Sequence, residues 1–388
     1  MPRYRKEVPH DLGRAEAVAR LKATAEWARG FSDLKGSWEG STFTFSLSVQ
    51  GIGVSGTVDV EEDALQLDTR LPLIAMPFAG WLPRVARTAL QPRPASNGAD
   101  AESAARAGDA GHDAADADAS TRAVLFLHIP KAGGTTLGEY VYNQCRAPED
   151  HDEGLLNAGV LFIPYGFFKE ADLQVPDYIR PTLGRGDLRA VVGHFWFGVH
   201  QHMRRPWTYV TLLRDPVERV VSLYHYLKLE ERMSLEEFAS APPFKEADND
   251  QVRRIAGADP EVGGCTRAML EAAKQNLRRH FSVVGVTERF DETLVLLNRR
   301  LGWTRDVASY PRNVNPDRRP TDSLPQSTLD AIRARHALDA ELHRFAGEWM
   351  DEAIVAEGPA FHDDLARYRA LEAAATQPQS VFENLPGA

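Results

Sequence analysis

Residues 123–136 read Ala-Val-Leu-Phe-Leu-His-Ile-Pro-Lys-Ala-Gly-Gly-Thr-Thr, an apolar run followed by a glycine pair and two hydroxyls. The run from Ala123 to Ile129 is almost continuously apolar, as a strand buried on both faces of a parallel sheet must be. The residues that follow, His128 to Thr136, suit a turn into a helix N-terminus, where successive backbone N–H groups and the helix dipole face a bound anion. Gly133 and Gly134 let the backbone approach such an anion closely. Thr135 and Thr136 offer hydroxyl donors, and Lys131 adds a mobile positive charge. A nucleotide triphosphatase loop, G-x-x-x-x-G-K-[ST], carries its lysine after the glycines. Here Lys131 comes before them.

Working outward, apolar strand patterns recur at 188–193, 207–213 and 282–286, with helical patterns at 216–228, 264–280, 291–301 and 325–356. Strands alternating with helices predict an α/β domain built on a P-loop-like, mostly parallel sheet. Upstream, residues 92–121 are dominated by Ala, Asp and Gly, which cannot bury enough surface to offset the entropy of ordering. They are read as a disordered linker dividing the chain into residues 1–91 and 122–388. In the first part, Ala15, Val18, Leu21, Ala25 and Ala28 recur at helical spacing. Strands are expected at 42–49, 53–60 and 64–71, and a last amphipathic stretch at 78–90. Gln50-Gly51 and Glu62-Asp63 stand where turns are needed. The expectation is a small α+β domain.

The chain has 388 residues and a formal net charge of -10, which argues against broad nucleic-acid binding. Its two cysteines, Cys145 and Cys265, form no C-x-x-C pair and are expected to be inert thiols, so no metal is implied. No apolar segment follows the charged start Met1–Lys6, and no run approaches the ~20 residues that span a bilayer. The expected location is cytoplasmic.

Two further stretches carry chemistry. Arg214-Asp215-Pro216-Val217-Glu218-Arg219-Val220-Val221-Ser222 leads out of a strand into a helix. Asp215 is a good N-cap, Pro216 suits the first helical position, and Glu218 stands where a capping box places its acid. Capping accounts for neither Arg214, at a strand end where open α/β sheets bind ligands, nor Ser222, a hydroxyl in an otherwise apolar helix. Back-bonding to a helix carbonyl is the structural alternative for Ser222. The other stretch is Gly193-His194-Phe195-Trp196, which puts His194 at a strand exit with His200 and His202 nearby. A histidine can take a proton near neutral pH, and His194 is the favoured base.

The loop from His128 to Thr136 resembles the 5′-phosphosulfate loop of the carbohydrate sulfotransferases, the superfamily of the heparan sulfate 2-O- and 6-O-sulfotransferases. The family form is Lys-Thr-Gly-Gly-Thr-Thr, and Ala132 stands here for its first Thr. The resemblance covers residues 122–350 and implies 3′-phosphoadenosine-5′-phosphosulfate (PAPS) as sulfuryl donor and a hydroxyl acceptor of the carbohydrate class. It implies that Lys131 and Gly133, Gly134, Thr135 and Thr136 hold the 5′-phosphosulfate, that Arg214 and Ser222 hold the 3′-phosphate, and that His194 deprotonates the acceptor. Lys131 then also stabilises charge on the leaving phosphate oxygen. Softer matches lie at 249–253 and 286–290, either of which could instead be a buried polar network.

Residues 8–13, 38–40 and 54–58 resemble the small polyhydroxyalkanoate-system proteins of bacteria, which implies a docking module with a storage-granule or protein partner. Two alternatives stay open: an ATP-using kinase, and a non-catalytic scaffold. The arginine pairs at 204–205, 253–254, 278–279 and 299–300 could line a groove for an acidic polymer or lie on solvated helix faces.

Overall fold

The computed structural model describes residues 3–29, 34–49, 52–70, 90, 122–147, 156–163, 175, 179–309 and 321–374. The linker read into residues 92–121, the turn at Gln50-Gly51 and, apart from Leu90, the amphipathic stretch 78–90 lie outside them.

The first sheet holds strands β1 (Arg3–Pro9), β2 (Lys35–Glu39), β3 (Thr42–Val49), β4 (Ile52–Val60) and β5 (Ala64–Arg70), with helix α1 (Arg14–Arg29) between β1 and β2. All pairings are antiparallel, in the order β1-β5-β4-β3-β2. The three expected strands are the central ones. The two added edges, Arg-Tyr-Arg-Lys-Glu-Val-Pro and Lys-Gly-Ser-Trp-Glu, are too charged to advertise themselves by alternation. Edge strands tolerate and favour such charge because one side of their backbone faces no partner strand. Val8, Phe43, Phe45, Val58, Leu65 and Leu67 form the core under α1. Its helix is anchored where Arg20 donates to the Leu90 carbonyl at 2.6 Å.

The second sheet contains β6 (Ala123–Leu127), β7 (Leu156–Asn157), β8 (Val160–Ile163), β9 (Ala190–Gly193), β10 (Trp207–Leu213) and β11 (Phe281–Val286). Their order is β11-β10-β6-β9-β8-β7, and every pairing is parallel except β7 with β8. The mostly parallel α/β sheet is therefore as the sequence implied. All five residues of β6 are buried, which explains its unbroken apolar composition. The chain runs from β6 out to β8, returns through β9, then crosses β6 to β10. Strand order thus reverses at β6, and the crevice at the carboxyl ends of β9, β6 and β10 is where such sheets bind ligands.

The described helices of this part are α2 (Gly134–Cys145), α3 (Arg180–Leu183), α4 (Pro216–Tyr226), α5 (Leu235–Ser240), α6 (Asp250–Ala256), α7 (Arg267–His280), α8 (Phe290–Leu301), α9 (Gln326–Arg335), α10 (Ala337–Glu357) and α11 (Ala360–Ala374). The long helical pattern at 325–356 is in fact two helices, α9 and α10, broken at His336. His336 is buried there and accepts from the Asn249 N–H at 3.3 Å, so its ring serves a neighbouring turn rather than a continuous helix.

Candidate active site

The loop between β6 and α2 takes its shape from two residues in the left-handed region, Lys131 (φ 65°) and the N-cap Gly133 (φ 78°). A non-glycine residue there is uncommon and costs energy unless its surroundings hold it. Lys131 is held: its carbonyl accepts from Arg214 Nη1 at 3.0 Å. Next to it, the Ala132 carbonyl accepts from Thr287 Oγ1 at 2.8 Å, while the same hydroxyl lies 3.0 Å from the Leu213 carbonyl. One hydroxyl hydrogen is shared between the two, tying the loop to the end of β10. Gly134 is required sterically, because a Cβ there would fall inside the His128 imidazole. Helix α2 has no acidic residue in its first turn, so no acid of that turn opposes an anion at its N-terminus.

His194 leaves β9 beside this loop. Its Nδ1 lies 3.0 Å from the His128 carbonyl, and the two imidazoles stack with centroids 4.1 Å apart. A carbonyl can only accept, so Nδ1 carries the proton and Nε2 the lone pair when the ring is neutral. Both histidines are buried. Burial, with the nearby charges of His194, Arg254 and Lys131, holds the His128 imidazole well below its ordinary value, so it stays neutral and does not compete for protons.

Arg214 ends β10. Beyond its bond to Lys131, its Nη2 pairs with Glu218 Oε2 at 3.2 Å. Its backbone is clasped by Gln251, whose side chain accepts from the Arg214 N–H and donates to the Arg214 carbonyl, each at 2.9 Å. On α4, Asp215 caps as expected, accepting from the Glu218 N–H at 3.1 Å. The capping-box reading of Glu218 is corrected: the Asp215 N–H goes to Glu288 Oε1 at 2.9 Å, while the Glu218 carboxylate serves Arg214 and Thr321. Burial raises the Glu288 carboxyl, but bonds from His343 and the Asp215 N–H outweigh it and leave the group below its ordinary value.

Ser222 is half-buried one turn beyond Glu218 on the same face of α4. Among the described residues it makes no side-chain hydrogen bond, so it does not back-bond, unlike Thr293, whose hydroxyl reaches the Arg289 carbonyl at 3.0 Å. One turn further, Tyr226 carries the Lys131 ammonium 3.9 Å from its ring centroid. The stripe Glu218-Ser222-Tyr226 thus meets Arg214 at one end and Lys131 at the other, with Ser222 between. Helix α4 buries its other sides and leaves this stripe least covered.

The structure therefore brings together Lys131, Gly133, Gly134, Thr135, Thr136, Arg214, Ser222 and His194 at the carboxyl ends of three neighbouring strands. His200 and His202 are not part of this group. His200 is buried against Trp207 and Tyr209, with its Nδ1 3.0 Å from the Tyr209 hydroxyl, at the start of β10 and so at the opposite end of that strand from Arg214. Burial and the Arg180 charge lower His202. The stretch 249–253 is a buried network: Asp248 pairs with Arg253 at 2.8 Å and Asp250 with Arg254 at 3.1 Å. Arg254 also lies over the Trp196 ring, 4.6 Å from its centroid, which buttresses the exit of β9. Gln251, Thr287 and Glu288 hold the site, and their roles escape sequence reading because each acts on a backbone group far away in the chain. Burial pushes Cys145 and Cys265 up to about 12, as inert thiols require. Among the described residues no cluster of His, Cys, Asp and Glu could hold a metal ion, and no helix is long and apolar enough to cross a membrane.

Residues 6–91 match the polyhydroxyalkanoic acid system protein family, and residues 70–370 match the galactose-3-O-sulfotransferase family. Galactose-3-O-sulfotransferase 3 of Bos taurus is 31% identical over 161 residues, 37% of this chain and 38% of its own length. Galactose-3-O-sulfotransferase 2 of Homo sapiens is 28% identical over 254 residues, 61% of this chain and 62% of that protein. Heparan-sulfate 6-O-sulfotransferase 2 of Gallus gallus is 26% identical over 275 residues, 58% and 65% of the two chains. The chain thus spans less than two thirds of these curated relatives. With the family model covering most of the residues from β6 to α11, the chain belongs to the galactose-3-O-sulfotransferase family.

Proposed function

We propose that this protein transfers a sulfuryl group from PAPS to a hydroxyl of a carbohydrate. The observation that carries the reading is the convergence of three separate stretches, 128–136, 193–194 and 214–222, on the crevice where strand order reverses. The donor supplies an activated sulfuryl group on a 5′-phosphate. The residues present fit it: a helix whose first turn carries no acid, one cation in the loop and a second bonded to it, and a hydroxyl on α4 that makes no side-chain hydrogen bond among the described residues. Arg214 and Ser222 would take the 3′-phosphate, and Gly133 to Thr136 the 5′ end.

Lys131, whose ammonium lies over Tyr226, is the cation that would meet charge developing on the leaving 5′-phosphate oxygen. His194 Nε2 takes the proton of the acceptor hydroxyl as that oxygen bonds to sulfur, and its Nδ1–H keeps its bond to the His128 carbonyl throughout. The imidazolium that forms is stabilised by that same bond. Residues 1–91 we assign to a separate docking unit, residues 122–388 to the transferase, and the site of action to the cytoplasm.

The test is calorimetric binding of 3′-phosphoadenosine-5′-phosphate against adenosine 5′-phosphate, in wild type and Arg214→Ala. Wild type should prefer the first nucleotide by at least about ten-fold, one charge-assisted contact. Arg214→Ala also loosens the Lys131 loop and so weakens both nucleotides. The informative quantity is therefore the ratio, which should collapse toward one. Equal binding of the two by wild type removes the donor assignment.

A further inference from the structure

Arg214, the residue assigned to the donor's 3′-phosphate, already has an anion. Glu218 Oε2 sits 3.2 Å from its Nη2, with the arginine side chain 17% exposed and the glutamate 30%. This is not the ordinary place for an acid three residues after a cap, which would reach back to the N–H of Asp215. Glu288, from the segment after β11, has taken that N–H. The displaced Glu218 carboxylate is divided between Arg214 and the Thr321 hydroxyl, one oxygen to each.

Helix geometry fixes the consequence. Glu218 reaches back to Arg214 just before the helix and shares a face of α4 with Ser222 one turn on, so a phosphate held by those two comes alongside its carboxylate. A phosphate and a carboxylate repel at that spacing, and both seek the same guanidinium. Thr321 already holds the other oxygen, which gives the carboxylate somewhere to stay when Arg214 turns to the phosphate.

We propose that Glu218 is a built-in competitor for the 3′-phosphate, one that holds Arg214 between turnovers and limits how tightly the nucleotide product is retained. The inference rests on the donor reading above. A nucleotide lacking the 3′-phosphate leaves the Arg214–Glu218 pair intact and is indifferent to it. One that carries the 3′-phosphate must break the pair to gain Arg214, and on leaving it is replaced by the carboxylate.

Calorimetry and stopped-flow dissociation with 3′-phosphoadenosine-5′-phosphate and adenosine 5′-phosphate test this, on wild type, Glu218→Gln and Thr321→Ala. Glu218→Gln keeps shape and loses charge. It should bind the 3′-phosphorylated nucleotide about five-fold tighter, the value of one partly exposed ion pair, mainly through slower release. Adenosine 5′-phosphate should be unaffected. Thr321→Ala removes the alternative partner, leaves the carboxylate more firmly on Arg214, and should weaken the 3′-phosphorylated nucleotide about two-fold. Should the glutamine variant lack a cooperative melting transition, the threonine variant decides alone, and unchanged affinity there overturns the proposal. Equal or weaker binding by a folded Glu218→Gln also overturns it, because Glu218 would then be orienting Arg214. If wild type shows no preference for the 3′-phosphate, the donor reading fails and the competitor goes with it.

Discussion

His128 and His194 do different work with the same side chain, and the difference is set by what each touches. His194 gives its Nδ1–H to a carbonyl and keeps the lone pair of Nε2, the atom proposed above as the base. On the proposed role, replacing it with Ala should lower kcat by about 10²–10⁴-fold while leaving the affinity for 3′-phosphoadenosine-5′-phosphate within about two-fold, since a base for the acceptor hydroxyl need not touch the nucleotide. His128 is wedged against Gly134, so Gly134→Ala must push the imidazole aside; a loss of about 1–3 kcal/mol in urea unfolding is expected. His128 also makes stability depend on pH. Its unfolded imidazole titrates near 6.5 and its folded one well below, so the unfolded chain gains a proton that the folded chain refuses. Its contribution is complete above about pH 6.5 and falls as the pH drops toward the folded value, by at most about 1.4 kcal/mol per unit. Unfolding at pH 5.5 and 7.5 in wild type and His128→Asn should show the smaller pH difference in the variant.

At the scale of elements, the site is held by side chains that grip backbone. Thr287 spans the loop and the end of β10 with one hydroxyl, and Gln251 clasps Arg214 from α6. Thr287→Val keeps the volume and removes the bridge. It should cost about 1 kcal/mol of stability and weaken nucleotide binding a few-fold, measured by denaturation and calorimetry on the same preparation. These grips also mark the limit of what the sequence shows. The loop, the strand-end Arg214 and the cap Asp215 are legible because their meaning is local: spacing, glycine, and a strand–helix junction. The stretch 286–290 was marked only by a soft resemblance, and the bonds of Thr287 and Glu288 were not legible, because a threonine that bonds two carbonyls looks like any other threonine until β11 is placed beside β10. Glu218 was legible for the wrong reason. Its position fits a capping box, but Glu288, far along the chain, competes for the same N–H and wins.

Across the whole molecule, the mostly parallel sheet followed from runs such as Ala123–Leu127, whose unbroken apolar character suits a short strand covered on both faces and little else. What stayed hidden were the margins: β1 and β2, whose charges suit edge strands, and the short pair β7 and β8. The two sheets also have separate cores, one under α1 and one around β6. If residues 1–91 are a docking unit, a chain beginning at residue 119 should bind 3′-phosphoadenosine-5′-phosphate within about two-fold of the full protein, since that unit supplies none of the assigned donor contacts. A larger loss by calorimetry would make the first part a component of the site.

The central place of β6 also has a meaning in time. It is the first strand of its sheet to leave the ribosome, yet both of its neighbours, β9 and β10, are made later, and β10 last of the two. A nascent chain must therefore carry a wholly apolar strand with neither edge paired until Ala190–Gly193 emerges, and one open edge until Trp207–Leu213 follows. A chain stalled between those points exposes an edge suited to pairing with other chains. Slow translation there is thus a hazard of aggregation rather than of lost catalysis, written into the order in which the strands are made.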